Sequence, residues 1–374
     1  MNGAFLSLNH SSLFTLHSSQ MDTLTHALSG ALLARATAPA QSADVLPLRR
    51  RIAIGALAAA FPDIDVVASW WSPLSYLYHH RGVTHSLVML ALWAVLLAWL
   101  CTRVWRRGPS WRAYAGIIAW GIAVHIAGDW ITSFGTMVFA PISDWRAALS
   151  TTFIIDLWFS GIIVAGLLAS WLWRKSCWPA VTGMGVLCAY VVFQFAMQQR
   201  AVDFGERYAK DTGLRNARVS ALPRPVSPFN WMVVVDADDR YHYSLINLSA
   251  RVAPSSLAPD AGFITRLAAP YLPLDKAQWV SADRWGSSVQ SAQSTLAREV
   301  MAHPQFAFFS WFAQYPTLYR VDSGNPHTCV WFQDLRFFTP GRAVWPFRYG
   351  MCREAGGEWL AYELLSDNTA SLIY

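Results

Sequence analysis

The sequence predicts a mainly α protein, in which a multi-pass helical membrane domain of about six helices precedes a C-terminal extramembrane domain that is β-rich or α+β. The chain of 374 residues is 54% hydrophobic and only 14% charged, whereas soluble domains carry about 25% charged residues. The charge is also uneven: residues 1–199 hold 12 Lys and Arg and 7 Asp and Glu, and residues 200–374 hold 17 and 16. This difference predicts two domains in different solvents, divided between residues 199 and 200.

Composition excludes several classes of protein. The net charge is +6, but most of the excess comes from arginines in short loops between apolar runs, and not from a clustered basic face. No nucleic-acid partner is therefore expected. The apolar content excludes a disordered chain, and five cysteines in so long a chain exclude a disulfide-stapled miniprotein.

Residues 1–20 form a short N-terminal stretch before Met21. They contain no basic n-region and no apolar run as long as that of a signal peptide. We expect them to be a disordered or mis-assigned extension, and we give His10 and His17 no role.

Six apolar segments follow, and a bilayer requires about 20 residues from each. The first is the weakest candidate because it is short and contains Arg35, and the second is interrupted near its end by Asp63 and Asp65. The other four are nearly free of ionisable groups. The segments are residues 24–40, 52–71, 84–102, 113–128, 157–173 and 176–199.

The connecting loops carry an orientation signal. Every second loop is rich in Arg and Lys, and the positive-inside rule predicts that these loops are cytoplasmic. Loops 72–82 and 134–152 and all residues after Arg200 then lie outside. The basic residues of the cytoplasmic loops are Arg49, Arg50, Arg51, Arg103, Arg106, Arg107, Arg112, Arg174 and Lys175.

The second half of the chain reads as an extracytoplasmic domain, residues 200–374. Residues 231–235 and 241–248 are β-rich runs around the polar turn 236–239, which predicts a hairpin. Residues 306–311, 328–332 and 359–365 are further strand candidates, and residues 290–301 are a helix candidate.

Ionisable residues are costly at membrane depth, so each one in the first half needs a partner or a function. Under the predicted topology these ionisable residues all lie near the outer face. The topology was predicted from the basic residues of the loops alone, so this agreement is independent support for it. Neutral His with carboxylates and no nearby Cys is a ligand set that suits Zn²⁺, Mn²⁺ or Fe, and this number of ligands predicts two or more ions. The predicted metal ligands are His26, Asp63, Asp65, His80, His85, His125 and Asp129.

Their spacing supports this interpretation. His125 and Asp129 are i, i+4 and share a helix face, and Asp22 and His26 repeat that spacing. Asp63 and Asp65 are i, i+2, which places them on one side only if the segment after Pro62 is extended.

Each residue also has a simpler interpretation. A single intramembrane His is commonly an interhelical hydrogen-bond donor, and His79 fits an interfacial residue. Asp156 fits a helix N-cap as well as a metal ligand, and Asp22 fits a helix-start carboxylate. Arg81 fits either an interfacial anchor or a clamp for a phosphate. His242, His303 and His327 are interpreted as structural.

Four motifs carry a family resemblance. They are Met21-Asp-Thr-Leu-Thr-His26, Phe61-Pro-Asp-Ile-Asp65, His80-Arg-Gly-Val-Thr-His-Ser86 and His125-Ile-Ala-Gly-Asp129. At these residues the chain resembles the YdjM-like family of bacterial membrane-bound, predicted metal-dependent hydrolases. The resemblance covers about residues 21–200. It implies a multi-pass inner-membrane protein with a His/Asp metal centre, and a more distant relation to zinc-dependent phospholipases C and single-strand nucleases.

These observations lead to a functional hypothesis. We expect a metal-dependent hydrolase, at the outer face of the inner membrane, that acts on a phosphoester of a lipid or lipid-linked molecule. Arg81 is expected to bind the phosphate and Asp65 to accept a proton from the attacking water. The alternatives are a metal or proton transporter, and a structural or regulatory membrane protein with a metal site.

Two cysteines bear on the topology. Cys329 and Cys352 lie in the predicted outer domain, where an oxidising compartment allows them to pair. The other three cysteines belong to the membrane segments or their inner ends.

Overall fold

The structure is a computed structural model that describes residues 10–39, 46–106, 108–253, 261–286, 291–324, 327–342 and 344–373. It divides into two compact units. The membrane unit comprises Phe14–Trp71 and Tyr78–Ala196. The C-terminal unit comprises the described parts of Met197–Tyr374, Ser72–Leu77 and Met1–Leu13. The main division along the chain lies close to the predicted boundary.

The described residues from His10 to Asp211 form helices joined by loops, among them the long irregular segment 131–156 between Trp130 and Leu157. The α-helices are α1 His10–Ala36, α2 Leu48–Ala60, α3 Pro73–His79, α4 Leu90–Val104, α5 Trp111–Trp130, α6 Leu157–Leu172 and α7 Trp178–Asp211, and two 3₁₀ helices cover Phe61–Trp70 and Val83–His85.

The start of α1 differs from expectation. Residues 10–20 are helical where the sequence suggests a disordered or mis-assigned extension. The reason is local, because no Gly or Pro interrupts the chain between His10 and Ser29. Residues 1–9 lie outside the described residues, and a mis-assigned start stays a prediction.

Each of the six predicted segments coincides with a helix, but six crossings do not follow. Among the described residues, two helical stretches are long and apolar enough to cross a membrane, Leu48–Trp70 and Trp178–Asp211. A third is possible if Leu74–His85 and Leu90–Val104 form one span bent by 79°. α6 has only 16 residues, which reach about 24 Å, short of a hydrocarbon core of about 30 Å. The number of crossings is therefore smaller by this measure than predicted.

Small residues bring α2 and α5 close together. A Cβ atom at Gly121 of α5 would lie 2.7 Å from the Ala58 Cβ and 2.9 Å from the Gly55 carbonyl oxygen of α2. A larger side chain would force the helices apart, as at small-residue interfaces of membrane helices. The short separation matters for function because it places His125 beside the end of α2.

The C-terminal unit is α+β, with two antiparallel sheets. The first has strands in the order β1-β2-β3-β4 and the second in the order β5-β6-β7-β8-β9. The strands are β1 Arg218–Pro223, β2 Asn230–Ala237, β3 Arg240–Asn247, β4 Trp279–Asp283, β5 Pro316–Ser323, β6 His327–Asp334, β7 Tyr349–Glu354, β8 Leu360–Leu364 and β9 Ala370–Leu372, and the helices are α8 Phe263–Ala268, α9 Ala292–Met301 and α10 Ala307–Phe312.

The predicted hairpin is confirmed as β2 and β3, paired in register from Asn230 with Asn247 to Ala237 with Arg240. The strand predicted at 306–311 is wrong, because a 3₁₀ helix and then α10 occupy these residues. The buried residues there are Phe306, Phe308, Phe309 and Phe312, a spacing that suits one face of a helix better than a strand. Cys329 of β6 and Cys352 of β7 stand opposite each other and form a disulfide.

Candidate metal centre

The seven predicted metal ligands and Arg81 lie together in the membrane unit. All of them are buried except Asp63, whose side chain is 14% exposed. His26 comes from α1, Asp63 and Asp65 from the 3₁₀ helix Phe61–Trp70, His80, Arg81 and His85 from the segment between α3 and α4, and His125 and Asp129 from α5.

Asp63 and Asp65 contact opposite edges of one imidazole ring. Asp63 Oδ1 lies 3.6 Å from His85 Nε2, and Asp65 Oδ2 lies 3.2 Å from His85 Nδ1. The segment is a 3₁₀ helix, so the expectation of an extended stretch with both carboxylates on one side is wrong. In a helix of three residues per turn, residues i and i+2 diverge, and this divergence lets the pair hold both nitrogens of His85.

Hydrogen bonding assigns the protons of His85 and His125. His125 Nδ1 donates to the Ala59 carbonyl oxygen at 2.6 Å, so its Nε2 carries the lone pair. His85 Nδ1 faces the Asp65 carboxylate and carries a proton, so in the neutral ring His85 Nε2 is an acceptor too. These two Nε2 atoms lie only 2.9 Å apart. In two neutral rings the lone pairs repel each other at this distance unless a metal cation lies against both or one nitrogen takes up a proton.

Carboxylate oxygens add to this group of acceptors. Asp129 Oδ2 lies 3.1 Å from His85 Nε2 and 3.4 Å from His125 Nε2. Asp63 Oδ1 lies 3.5 Å from His125 Nε2. Ligand atoms of a tetrahedral ion with bonds of about 2.0–2.1 Å lie about 3.3 Å apart. The donor set and its spacing therefore fit a divalent cation.

Two groups among the described residues could hold a metal ion, and they share His125. One consists of Asp63, His85 and His125, and the other of His26, His125 and Asp129. The His26 ring stacks on His125 with ring centroids 3.9 Å apart. Gly128 makes room for it, since a Cβ at this position would lie 2.8 Å from His26 Cε1.

Comparison with known proteins finds a similar family. Residues 21–201 match the model of the YdjM inner membrane protein family. This part of the chain is similar to the YdjM family. It contains the four motifs and all the residues of the two metal-capable groups, and we call it the YdjM-family domain.

A relative of this chain is the Bacillus subtilis (strain 168) protein YfhP, described as uncharacterized. It is 25% identical over 185 residues, which are 48% of this chain and 55% of YfhP. The chain thus spans about half the length of that relative. No solved structure matches the chain.

Arg81 of the YdjM-family domain is bound to the centre. Its side chain is buried, its Nη2 lies 2.9 Å from Asp129 Oδ1, and its Nη1 donates to Thr132 Oγ1 at 2.7 Å. The guanidinium also lies over the Phe134 ring, 5.1 Å from its centroid. Arg81 is therefore not an exposed interfacial anchor. Its contacts hold the Asp129 carboxylate in place. Its action as a phosphate clamp stays a prediction.

Asp65 and His80, both predicted ligands, lie one step outside the two metal-capable groups. Asp65 Oδ1 lies 3.0 Å from His80 Nδ1, and Asp65 Oδ2 accepts from the Arg81 backbone N–H at 2.9 Å. Since Oδ2 also contacts His85, both oxygens of Asp65 are engaged. The contacts suit a carboxylate that orients His85, as partners of metal-bound histidines commonly do.

Three further candidates have separate outcomes. His79 is exposed and belongs to neither group. Asp156 caps α6, since its Oδ1 accepts from the backbone N–H groups of Trp158 and Phe159 at 2.8 and 2.9 Å. Its Oδ2 accepts from the Tyr190 hydroxyl at 2.8 Å. The side chain of Asp22 lies outside the described part of the chain.

Three threonines were missed by the sequence analysis. Thr23 donates to Asp63 Oδ2 at 2.5 Å, Thr84 donates to Asp65 Oδ2 at 3.3 Å, and Thr132 accepts from Arg81. Thr23 and Thr84 lie inside two of the motifs, which is a signal that could have found them. Thr132 lies one helical turn after Asp129, where helix residues are neighbours.

Proposed function

We propose that the YdjM-family domain is a membrane-embedded, metal-dependent hydrolase that cleaves a phosphoester of a lipid or lipid-linked molecule. The observation that carries the proposal is the 2.9 Å contact of two histidine Nε2 atoms against two carboxylates. Zinc is the first choice of metal, because His and carboxylate ligands at this spacing suit it, and Mn²⁺ and Fe remain open.

The ligands support the proposed reaction class. A bound divalent cation supplies a Lewis acid that lowers the pKa of water and polarises a phosphoryl oxygen. Water adds to phosphorus, the P–O bond to the alcohol breaks, and the alcohol leaves with one proton while the phosphate keeps the water oxygen. The chain's own residues orient the reactants and move this proton.

Two layers of residues would divide this work. His85, His125, Asp63 and Asp129 would hold the ion, with His26 completing the second group. Asp65, His80 and Thr84 would fix the tautomer of His85, and Arg81 would hold Asp129 while adding positive charge for the phosphoryl group. Asp63 is the most exposed carboxylate of the centre, at 14% against 6% for Asp65 and 1% for Asp129. It is therefore better placed than Asp65 to exchange a proton with solvent.

The number of ions is part of the proposal. We expected two or more, but both groups need His125, and its Nδ1 is occupied by Ala59. A second ion would have to use His26 and Asp129 with ligands from water or substrate. We also propose that the C-terminal unit is extracytoplasmic, and its Cys329–Cys352 disulfide supports this.

The test begins with the metal content of the full-length protein purified in detergent, measured by elemental analysis. We expect at least one equivalent of Zn, Mn or Fe, and none in the variant His85→Ala plus His125→Ala. His79→Ala is the matched control, because His79 is an exposed histidine in the same segment, and it should keep the metal.

The second step measures hydrolysis. The metal-loaded protein is incubated with phosphatidic acid, phosphatidylglycerol and an undecaprenyl phosphoester, and release of phosphate or alcohol is followed. Hydrolysis that disappears in the double variant supports the proposal. Bound metal with no hydrolysis of any of the three would overturn it and favour the transport or structural alternatives.

A further inference from the structure

A cavity of about 280 Å³ lies within the YdjM-family domain, between α1, α5, α6 and α7. This volume is at the lower limit of cavities that hold small ligands, about 300–1,000 Å³. His26 and Thr132 form part of its wall, and both belong to the metal centre. The cavity therefore adjoins the centre.

The rest of the wall is mainly apolar. Phe159 of α6 and Met184, Leu187 and Val191 of α7 line it, together with Val124 of α5. An apolar cavity holds water poorly and accepts apolar ligands. A free sugar or phosphate is thus a poor match for most of this surface.

Polar groups in the wall already have partners within the protein. The hydroxyls of Thr25 and Ser160 lie 3.3 Å apart, and Ser29 donates to the Thr25 carbonyl oxygen at 2.9 Å. The Asp156 carboxylate is held by the start of α6 and by the Tyr190 hydroxyl. These hydrogen bonds satisfy polar groups of the wall without a polar ligand. His26 is the wall residue that belongs to a metal-capable group.

We propose that this cavity binds the hydrocarbon chain of a lipid whose phosphoryl group lies at the metal centre. The inference rests on the proposed function and adds to it the place and class of the substrate's tail. Lipid tails in the bilayer are as apolar as the cavity wall, so the cavity contributes position more than affinity. A chain seated there fixes the ester bond near His26.

The test uses photolabelling, which needs no turnover. Full-length protein is placed in nanodiscs of phosphatidylethanolamine and phosphatidylglycerol that contain a lysophosphatidic acid with a diazirine in its acyl chain. After irradiation, labelled residues are mapped by mass spectrometry. We expect labels on Phe159 and on residues 184–191.

Adjacent valines supply a matched pair of variants. Val191 lines the cavity, whereas Val192 does not and is 68% exposed. Val191→Trp should lower the labelling of Phe159 and residues 184–191 at least tenfold, and Val192→Trp should leave it unchanged. Equal labelling in the two variants, or labels spread evenly over the outer helix surfaces, would overturn the proposal.

Chemical modification of a cysteine provides a second test that does not depend on the folding of Val191→Trp. Cys188 also lines the cavity, and Cys177 does not. With Cys101 and Cys177 replaced by Ser, N-hexylmaleimide on Cys188 of the folded protein should prevent labelling. The same reagent on a variant that has Cys101 and Cys188 replaced by Ser and keeps Cys177 should not prevent labelling. Labelling that persists after modification of Cys188 contradicts the proposal.

The outcomes separate the two proposals. Cavity labelling without hydrolysis by the metal-loaded protein would support the binding of the lipid tail in the cavity and contradict the proposed hydrolase activity. Hydrolysis at the same rate in Val191→Trp and Val192→Trp, with the same photolabelling in both, would support the hydrolase activity and contradict the binding of the lipid tail in the cavity.

Discussion

Both units of the protein bury charged side chains, but they do so in different ways. In the C-terminal unit, the fully buried Asp334 accepts from Arg336 Nε at 2.7 Å and from the backbone N–H groups of Arg336 and Gln314, each at 2.9 Å. In the membrane unit, His85 and His125 turn lone pairs toward each other and toward carboxylates. The carboxylate of the first region has a full set of donors, whereas in the second region acceptor atoms also face one another.

The difference separates structural charge from functional charge. A buried carboxylate with a full set of donors needs nothing further, and removing it leaves an unpaired partner. A cluster in which neutral imidazoles and carboxylates face one another is stabilised by added positive charge, which a metal ion can supply. Burial alone does not distinguish the two regions, and the balance of donors and acceptors does.

The largest expected effect is on folding of the C-terminal unit. Asp334→Ala leaves the buried Arg336 guanidinium without its carboxylate, and we expect a loss of about 3–5 kcal/mol in the free energy of unfolding. Denaturant unfolding of the detergent-purified protein measures it. Arg240→Ala is the control, because that side chain is 53% exposed in its pair with Asp283 and its loss should cost about 0–1 kcal/mol. Loss of bound metal without loss of stability in Asp334→Ala would contradict the comparison.

A pH effect should also arise in the C-terminal unit. Burial raises the pKa of Glu363 from 4.5 to about 7, against the opposing charge of Arg348. Between these values the unfolded chain releases a proton that the folded unit keeps, so stability falls as the pH rises and the loss is complete above the folded pKa. We expect at most about 3 kcal/mol from this group. Thermal unfolding at pH 5 and pH 8 should show a smaller difference in Glu363→Gln, and equal differences in the two proteins would exclude the assignment.

In the membrane unit, the carboxylate behind the centre should affect metal binding more than folding. Asp65→Asn keeps the shape of the side chain but removes its negative charge, which weakens its contacts with His80 and His85. We therefore expect the metal affinity to fall about 10–100-fold. Competition with a chromophoric chelator measures this affinity. An unchanged affinity would mean that the orientation of His85 depends on other contacts, such as its contact with Thr84.

The smallest effect concerns a glycine. Gly128→Ala places a Cβ against His26, and we expect up to about a tenfold loss of metal affinity through displacement of that ring. Gly116→Ala in the same helix meets nothing within 4 Å, and it should stabilise α5 by about 1 kcal/mol without a change in metal affinity. Equal affinities in the two variants would place His26 outside the centre.

Much of the candidate site could be predicted because ionisable residues stand out within apolar segments. His26, His85 and Asp129 were selected in this way, and the i, i+4 spacing of His125 and Asp129 matches their shared contacts with His85. The helices of the membrane unit were equally visible as apolar runs, and the β2–β3 hairpin as two β-rich runs around a polar turn.

The contacts between these residues could not be predicted. The outer position of Asp65 depends on the 3₁₀ helix after Ala60, and the Arg81–Asp129 pair depends on an Arg81 backbone in the left-handed region, with φ of 59°. Both are tertiary outcomes that local pattern does not encode. The helix α10 was missed for a related reason, since a short apolar run fits a strand or a helix until its buried neighbours are known.

The ligands of the candidate centre come from segments far apart in the chain, from His26 in α1 to Asp129 in α5. An ion held by them would cross-link these segments and stabilise the folded domain in proportion to the logarithm of its free concentration. Scarcity of the metal would then shorten the lifetime of the domain against proteases of the cell envelope. The supply of metal would govern the abundance of the protein as well as its chemistry.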